Sequence, residues 1–243
     1  MILHGGQNYY GIPIGVLSLE SRFPKPLGHI KNPAGFDFPL LYKTVQGATV
    51  DRLIRQRDPA LLQPFIDAAQ ELEREGVKAI TGSCGFLALH QQTIAAAVSV
   101  PVFLSSLIQV PLVSRMLGPQ RQVGVIVANS DALSEDHLRG AGIGTERIAI
   151  AGMQDQPQFR TVILEGTGQD LDMALFEAEL TGVVSRMLAE HPDVGALVLE
   201  CTDLSCFSQQ LQARFALPVF DLSSLTRMVA STVTHAGQPA WRP

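Results

Sequence analysis

Short apolar runs alternate along this chain with longer stretches in which apolar and polar residues mix. Runs of three to six residues rich in Val, Ile and Leu are typical of strands buried on both faces. We interpret as strands the runs Ile14–Leu19, Ala79–Thr81, Val100–Leu104, Gln122–Val127, Arg147–Ala151, Ala196–Leu199 and Leu217–Phe220. Their alternation with longer segments predicts a parallel sheet whose strands are joined by crossover helices.

Two of the intervening segments have the periodicity of helices. Asp58–Glu75 and Asp170–Glu190 place apolar residues three and four positions apart, as on one face of a helix. Acidic residues or Asp-Pro near the start of each segment are typical of helix N-termini. We therefore expect both segments to form helices that pack on the sheet.

The sequence matches itself at an offset of 117 residues. Cys84 then falls on Cys201, and Pro101–Phe103 falls on Pro218–Phe220 without a gap. A match of this kind indicates a duplicated structural unit. We predict an α/β fold of two pseudo-symmetric, doubly wound (Rossmann-like) parallel-sheet domains. An active-site cleft lies between them, because such sheets bind ligands at the carboxyl ends of their strands.

The composition is that of a globular protein, with 46% hydrophobic and 17% charged residues among 243. A net charge of −5 without a basic run provides no surface for a phosphate backbone. The N-terminus lacks the features of a signal peptide, and the apolar runs are too short to cross a membrane. Three cysteines without metal or redox spacing indicate reduced thiols. We expect a cytoplasmic protein with no nucleic-acid or membrane partner.

Cys84 and Cys201 occur in the same local context. Each follows an apolar strand and precedes a helical pattern, so each should lie at a helix N-terminus, where backbone N–H groups stabilise a thiolate. A single cysteine at such a point is more often a small buried hydrophobe. The repetition of residue type and context favours chemistry instead. Cys206 has no counterpart, since Leu89 occupies the matching position, and we assign it to the core.

Two thiols suit the inversion of a carbon next to a carboxylate. One base removes a proton from one face while a second acid returns a proton to the other, and a thiol and a thiolate can coexist near neutral pH. None of the four lysines is placed to hold pyridoxal phosphate, and no GxGxxG or P-loop pattern is present. No two histidines have metal-ligand spacing. We therefore expect neither a cofactor nor a metal.

Further polar residues lie where predicted strands end. Glu20 and Ser21 follow the first strand, Ser105 follows the run from Val100, and Asn129 and Ser130 follow the run from Gln122. These residues can orient a substrate, and they can equally form caps and turns. The segment Phe23–Pro39, which contains Lys25, His29 and Lys31, is rich in Pro and Gly. We favour a surface loop or subunit contact there over an active-site lid.

These residues resemble the aspartate/glutamate racemase superfamily, which includes amino-acid racemases, hydantoin racemases, maleate isomerases and arylmalonate decarboxylases. The resemblance spans nearly the whole chain. Glu200–Asp203, with the sequence Glu-Cys-Thr-Asp, is similar to the Cys-Thr-Glu or Cys-Thr-Asp segment of aspartate racemase-like members. Gly82–Phe86, with the sequence Gly-Ser-Cys-Gly-Phe, departs from the Cys-Asn-Thr that is frequent in amino-acid racemases. The departure bears on the substrate, because residues after the first cysteine help to hold the substrate carboxylate.

The resemblance implies two Rossmann-like domains, with the C-terminal strand and helix returning to the first, and a homodimer. We expect residues 1–111 with 217–243 to form one domain and residues 112–216 the other. Cys84 and Cys201 would be the catalytic pair. The expected substrate-binding residues are Glu20, Ser21, Ser83, Gly85, Phe86, Ser105, Asn129, Ser130, Thr202 and Asp203.

From this resemblance we expect an enzyme, namely a cofactor-independent racemase or epimerase of an acidic amino acid or a related small-molecule carboxylate. Three alternatives stay open. A maleate-type cis–trans isomerase would use one cysteine as a nucleophile. An arylmalonate-type decarboxylase would need only one cysteine as a proton donor. A non-catalytic protein would bind a small acid between the halves with inert thiols.

Overall fold

A computed structural model describes residues 5–234 of the chain, and eight strands form its two sheets. Residues 1–4 and 235–243, the ends of the expected first domain, lie outside the described residues. The strands are β1 (Ile14–Glu20), β2 (Leu40–Thr49), β3 (Ala79–Gly82), β4 (Val102–Phe103), β5 (Gln122–Val127), β6 (Ile148–Gly152), β7 (Val194–Leu199) and β8 (Val219–Phe220). Every predicted strand is present within a few residues of its expected bounds.

The two sheets have the same topology. The first has the order β2-β1-β3-β4 and the second the order β6-β5-β7-β8, and every pairing is parallel. All six residues of β7, and all of β1 except its last, are buried, as expected for central strands covered on both faces. The α/β fold and its duplication, predicted from the repeat, are confirmed.

The strand β2, at the edge of the first sheet, was not predicted from the sequence. Its ten residues are mostly half-buried and include Lys43 and Gln46, so the strand does not form an apolar run. Gly47 adopts a φ of 73°, and the pairing of β1 with β2 shifts register between Ser18 and Glu20. A bulged, amphipathic edge strand therefore carries little of the periodicity on which the prediction depended.

Between residues 5 and 234, eight α-helices connect and cover the strands. They are α1 (Leu62–Glu75), α2 (Gln91–Ala96), α3 (Val110–Leu117), α4 (Glu135–Gly140), α5 (Pro157–Phe159), α6 (Met173–Glu190), α7 (Ser208–Phe215) and α8 (Leu222–Val233). Both predicted helices are present as α1 and α6. Asp172 caps α6 through its side chain, and α1 ends at Gly76, whose φ of 107° suits a glycine.

The last helix of each half packs on the sheet of the other half. Val110 and Val113 of α3 join the core of the second sheet, whereas Leu222 and Leu225 of α8 join the core of the first. The exchange fixes the relative position of the two sheets, because each depends on a helix from the other half to cover an apolar face.

We expected both the C-terminal strand and the C-terminal helix to return to the first domain. The helix does pack on the first sheet, but the strand β8 pairs with β7 in the second sheet. The duplication explains the difference, because β8 occupies in its sheet the place that β4 occupies in the first. None of the helices between residues 5 and 234 is both long and apolar enough to cross a membrane.

Because α8 packs on the first sheet, we predict that shortening a side chain on its buried face destabilises the protein more than shortening one on its exposed face. Leu222 is fully buried against the first sheet, whereas Met228 on the same helix is 51% exposed. Leu222→Ala should lower the free energy of unfolding by about 2–5 kcal/mol, because it leaves a cavity under the sheet. The matched Met228→Ala should change it by less than about 0.5 kcal/mol. Urea denaturation measures both, and equal losses would show that α8 does not support the first sheet.

Candidate active site

Each of the two repeated cysteines lies at the carboxyl end of a central strand. Cys84 follows β3 and precedes a 3₁₀ helix at Gly85–His90, and Cys201 follows β7 and precedes a 3₁₀ helix at Thr202–Phe207. The predicted position at a helix N-terminus is therefore what the structure shows. The Sγ atom of each cysteine interacts with the backbone N–H two residues further on, in both halves.

Both cysteines line one enclosed cavity between the two halves. The volume of this cavity is only about 20 Å³, which is room for little more than a water molecule. The lining combines apolar walls with convergent charged and polar groups, the combination that is typical of ligand sites. The other lining residues are Leu19, Ser21, Phe23, Lys25, His29, Lys31, Val50, Ile54, Ser83, Gly85, Ala128, Ile163, Leu164, Glu200, Thr202 and Asp203.

A larger depression of about 440 Å³ adjoins the closed cavity. The residues that line both are Ser21, Phe23, Val50, Ile163 and Leu164. These five residues therefore separate the cysteines from the depression. Val50 directly precedes a π-helix at Asp51–Arg55, and Ile163 and Leu164 end a second one at Arg160–Leu164. The partition thus includes the residue before one π-helix and two residues of another, and π-helices are frequent at functional sites.

Half of the residues that we expected to bind substrate line the cavity, namely Ser21, Ser83, Gly85, Thr202 and Asp203. Some of them also join the two halves. The Thr202 hydroxyl donates a hydrogen bond of 2.9 Å to the Ser83 carbonyl, and the Ser83 hydroxyl accepts one of 2.9 Å from the Leu19 N–H.

Glu20 and Phe86 do not line the cavity. Glu20 is the exposed last residue of β1, and because side chains alternate along a strand it faces the outer depression. Phe86 is 1% exposed and packs edge-on against the ring of His137 at 5.0 Å between centroids. Its side chain therefore belongs to the core beneath Cys84.

Ser105, Asn129 and Ser130 also lie outside the cavity, and their side chains have hydrogen-bond partners elsewhere. The Ser105 hydroxyl accepts from the backbone N–H two residues on and caps a 3₁₀ turn. The Asn129 side chain accepts from the N–H groups two and three residues on. The Ser130 hydroxyl pairs with the Gln154 amide. Local hydrogen bonding of short polar side chains accounts for Ser105 and Asn129, and a tertiary contact with Gln154 accounts for Ser130.

The segment Phe23–Pro39 supplies three basic side chains to the cavity, so our preference for a surface loop was wrong. Lys25, His29 and Lys31 all line it, and His29 is 1% exposed. Lys31 Nζ donates to the Leu19 carbonyl at 2.7 Å and to the Ser21 hydroxyl at 3.1 Å. A signal was present, since three basic residues follow the first strand closely in a chain with few charges.

His29 holds Asp203 in place as a neutral imidazole. Its Nδ1 accepts a hydrogen bond of 2.8 Å from the backbone N–H of Lys31, so the ring proton is on Nε2. Nε2 lies 3.0 Å from Asp203 Oδ1 and therefore donates to it. Burial lowers the pKa of His29 more than Asp203 raises it, in agreement with this tautomer.

Asp203 in turn contacts the second cysteine. The Cys201 Sγ lies 3.6 Å from Asp203 Oδ2, at a distance at which the thiol donates a hydrogen bond to the carboxylate. Burial alone would raise the pKa of Asp203, but His29, Lys25 and the hydrogen bond from Cys201 outweigh it and hold this pKa below its ordinary value. Asp203 is therefore the ionised member of this group.

Both catalytic candidates are neutral thiols in the closed cavity. Burial, reinforced by the carboxylates of Glu200 and Asp203, raises the pKa of Cys84 and of Cys201 well above the ordinary thiol value. The backbone N–H group near each Sγ lowers the pKa of that thiol, but by less than burial and the carboxylates raise it. A thiolate therefore needs a further positive charge beside it before it can form near neutral pH.

The duplication does not extend to the charges around the two thiols. Asp203 occupies the position that Phe86 has in the first half, and Glu200 occupies that of Ser83. Both carboxyl groups thus belong to the second half, next to Cys201. The two cysteines have matching backbones but different chemical surroundings.

Glu200 is fully buried where the two halves meet. Its Oε2 accepts a hydrogen bond of 3.0 Å from the Ala128 N–H, while Oε1 has no hydrogen-bond partner among residues 5–234. Burial raises the pKa of Glu200 to about 8. A Cβ atom on Gly85 would lie 2.2 Å from Oε1 and 2.3 Å from the Glu200 carbonyl, so only glycine fits at this contact.

Lys25 is the other cavity residue with an unpartnered buried group. Its Nζ is enclosed, lies 2.8 Å from the centroid of the Phe23 ring and has no hydrogen-bond partner among the described residues. Asp203 Oδ1 is 3.9 Å away, too far for a hydrogen bond. Burial lowers the pKa of Lys25 to about 8.

Comparison with solved structures identifies the fold. A crystal structure of arylmalonate decarboxylase matches with a TM-score of 0.59 and 16% identity over 93% of this chain and 94% of that one. Glutamate racemase from Francisella tularensis matches with a TM-score of 0.56 and 20% identity over 91% and 81% of the two chains. The chain has the fold of the aspartate/glutamate racemase superfamily, as its sequence motifs indicated. At this identity the likeness concerns the fold alone.

Comparison with curated sequences gives closer relatives. The chain is 30% identical over 215 residues to a dimethylsulfoniopropionate lyase of Durusdinium sp. clade D, covering 86% of this chain and 70% of that protein. It is 31% identical over 233 residues to dimethylsulfoniopropionate lyase 3 of Emiliania huxleyi, covering 91% of this chain and 60% of that protein. The chain is thus shorter than these relatives. No protein-family model matches it.

These relatives overturn the expected activity. We expected a racemase or epimerase of an acidic amino acid, but the curated proteins that match most of the chain are lyases. The resemblance that suggested a racemase led to the correct fold, yet the cysteine motifs that carried it did not determine the reaction. By its sequence, the chain belongs to the family of the dimethylsulfoniopropionate lyases.

Proposed function

We propose that this chain is a lyase that cleaves dimethylsulfoniopropionate, or a closely related sulfonium-substituted propionate, with Cys201 as the base. The observation that carries the proposal is the match of 30% identity over 86% of the chain to a lyase of that name. The enclosed cavity with two thiols supports it, because an elimination needs a base held next to a carbon acid with water excluded.

The substrate named by the relatives has a carboxylate at C1 and a dimethylsulfonio group at C3. Removal of a proton from C2 leaves an electron pair that forms the C2–C3 double bond. The bond between C3 and sulfur breaks, and sulfur keeps its electron pair. The products are acrylate and dimethyl sulfide, and the proton remains on the base. Dimethyl sulfide leaves as a neutral molecule, so the leaving group needs no acid.

One base is therefore enough for this reaction, and the asymmetry of the site favours Cys201. Its Sγ contacts Asp203, which is ionised and fixed by His29. Cys84 has Phe86 at the corresponding position, so the carboxylate that contacts the Cys201 thiol has no counterpart in the first half. In this proposal Cys84 serves as a neutral thiol in the cavity wall and Cys201 removes the C2 proton.

The substrate itself would activate the base. In the closed cavity the pKa of Cys201 is raised by burial and by Asp203 and Glu200, so the thiol keeps its proton. A bound sulfonium ion adds a positive charge beside it, and an opposite charge favours the ionised form of a thiol. The thiol proton then passes along the existing hydrogen bond to Asp203, which is the weaker base, so the thiolate is a minor species that the nearby cation stabilises. The base would thus be formed only when a cationic substrate is present.

Cysteine variants test the proposal. Cys201→Ser should lower kcat/KM for the release of dimethyl sulfide by about 10²–10⁴-fold, because it removes the base. Cys84→Ser should lower it less. Cys206→Ser is the matched control, since Cys206 lies outside the cavity and serine retains a donor to the Asp203 carbonyl, and it should stay near wild type. Headspace dimethyl sulfide and acrylate by NMR are the readouts. Absence of both products with the wild-type enzyme would refute the proposal, and a larger loss in Cys84→Ser would reverse the assignment of the base.

The neutral form of Glu200 gives a second prediction. The pKa of Glu200 rises from 4.5 to about 8 on folding, so between these values the folded protein keeps a proton that the unfolded chain has lost. Wild-type stability should therefore fall relative to that of Glu200→Gln as the pH rises from about 5 to 8. The slope should approach 1.4 kcal/mol per pH unit. Urea denaturation at several pH values measures this difference, which is insensitive to the histidines common to both proteins. A constant difference would mean that Glu200 is ionised in the folded protein.

A further inference from the structure

We infer that Lys25, supported by Lys31, forms the subsite that holds the carboxylate of the substrate. The subsite selects anionic three-carbon acids over their neutral analogues. The inference rests on the proposed function for the identity of the substrate, and it assigns a role to a segment that carries neither cysteine.

The first observation is that the enclosed ammonium of Lys25 makes no hydrogen bond among the described residues, although Asp203 Oδ1 lies 3.9 Å away. A lysine Nζ has three protons to donate, and this one donates none of them to a hydrogen-bond acceptor among the described residues. A buried charge without hydrogen bonds is costly, and proteins rarely retain one without a use. The ring of Phe23 attracts the ammonium but cannot accept its three hydrogen bonds. A carboxylate entering the cavity would accept them.

The second observation is the balance of charge in the cavity. His29 is neutral, because its Nδ1 accepts a backbone hydrogen bond. Of the two carboxyl groups in the lining, Asp203 is ionised, whereas burial keeps Glu200 largely protonated at neutral pH. Lys25 and Lys31 therefore face a single negative charge. The lining has an excess of one positive charge, which a monocarboxylate neutralises.

The third observation is the position of the cations relative to the base. Lys25 lies 3.9 Å from Asp203 Oδ1, and Asp203 Oδ2 lies 3.6 Å from the Cys201 Sγ. A carboxylate held by Lys25 would therefore place the adjacent C2 atom on the side of Cys201. In the substrate C1 and C2 are directly bonded, so the subsite and the base match the order of the reacting atoms.

Lys31 differs from Lys25 because its ammonium group already donates hydrogen bonds. Its Nζ donates to the Leu19 carbonyl and to the Ser21 hydroxyl. It contributes charge, while its two hydrogen bonds hold the loop against the end of β1. Lys25 is therefore the residue that exchanges its contacts for the ligand, and Lys31 positions the loop that carries it.

The subsite also has a consequence for the elimination step. Removal of the C2 proton moves negative charge toward the carboxylate, and an ammonium ion beside it stabilises that charge more in the transition state than in the bound substrate. Loss of Lys25 should therefore affect kcat as well as KM. If Lys25 only stabilised the fold through Asp203, its loss would change neither the affinity for anions nor their selection.

The test measures binding and turnover with different molecules. Propionate and acrylate, which are carboxylates that the enzyme cannot cleave, are titrated against wild type, Lys25→Met and Lys25→Arg by calorimetry, with propionamide as the neutral analogue. The control is Lys78→Met, since Lys78 is exposed and lies outside the cavity. Lys25→Met should weaken propionate binding by about 10–100-fold, leave propionamide binding unchanged and raise KM for dimethylsulfoniopropionate. Lys25→Arg should retain part of the affinity.

The outcomes separate this inference from the proposed function. Unchanged propionate affinity in a folded Lys25→Met protein would overturn the subsite, even if the wild type releases dimethyl sulfide. If Lys25→Met loses affinity for propionate but the wild type releases no dimethyl sulfide, the subsite is supported and only the proposed reaction is refuted. If Lys25→Met does not fold, Lys25→Gln takes its place. Equal affinity of the wild type for propionamide and propionate would overturn the inference without any variant.

Discussion

The backbone of Gly85 lies so close to the side chain and carbonyl of Glu200 that no side chain fits between them. This contact brings the carboxyl ends of two sheets together, and the hydrogen bond from Thr202 to the Ser83 carbonyl reinforces it. Closure at this edge buries both thiols and Glu200, and burial raises the pKa of all three groups. The chemistry proposed for the cavity depends on that burial, because it keeps the base protonated until a cation enters.

Duplication explains the backbone of the site but not its function. The two halves present their cysteines at equivalent points, which is the arrangement that a two-base racemase needs. The substitutions between the halves break the equivalence, since Asp203 replaces Phe86 and Glu200 replaces Ser83. A long segment in the first half then adds basic groups that face the carboxylates of the second. The result is a polar site, with cations on one side and carboxylates beside one thiol, which suits a zwitterionic substrate and a single base.

The sequence predicted the strands that form short apolar runs and the helices with a clear apolar face, and it missed the long edge strand in which polar and apolar residues mix. Strands such as β1 and β7 are apolar throughout, so their runs were clear, and the offset of 117 residues placed both cysteines correctly. The strand β2 alternates irregularly and was missed. Lys25 and His29 were visible as charges, but their inward orientation follows from the fold of their segment around Asp203, which no local pattern encodes.

Local chemistry also explains the residues that were expected at the site and lie elsewhere. Asn129 and Ser105 follow strands at the correct edge, but their side chains satisfy nearby backbone N–H groups in turns. The activity was mispredicted for a related reason. The racemase expectation rested on short motifs around the cysteines, and these motifs did not distinguish a racemase from the lyases that the chain matches over most of its length.

The most direct test of this account is a competition between dimethylsulfoniopropionate carrying two deuterium atoms at C2 and the unlabelled compound. If Cys201 removes the C2 proton in an elimination, the unlabelled substrate should be consumed faster. The remaining substrate should become enriched in deuterium, and acrylate and dimethyl sulfide should form in equal amounts. Release of dimethyl sulfide without discrimination against deuterium and without acrylate, together with a gain in protein mass by a propionate group, would show that the thiol attacks C3 instead and would contradict the account.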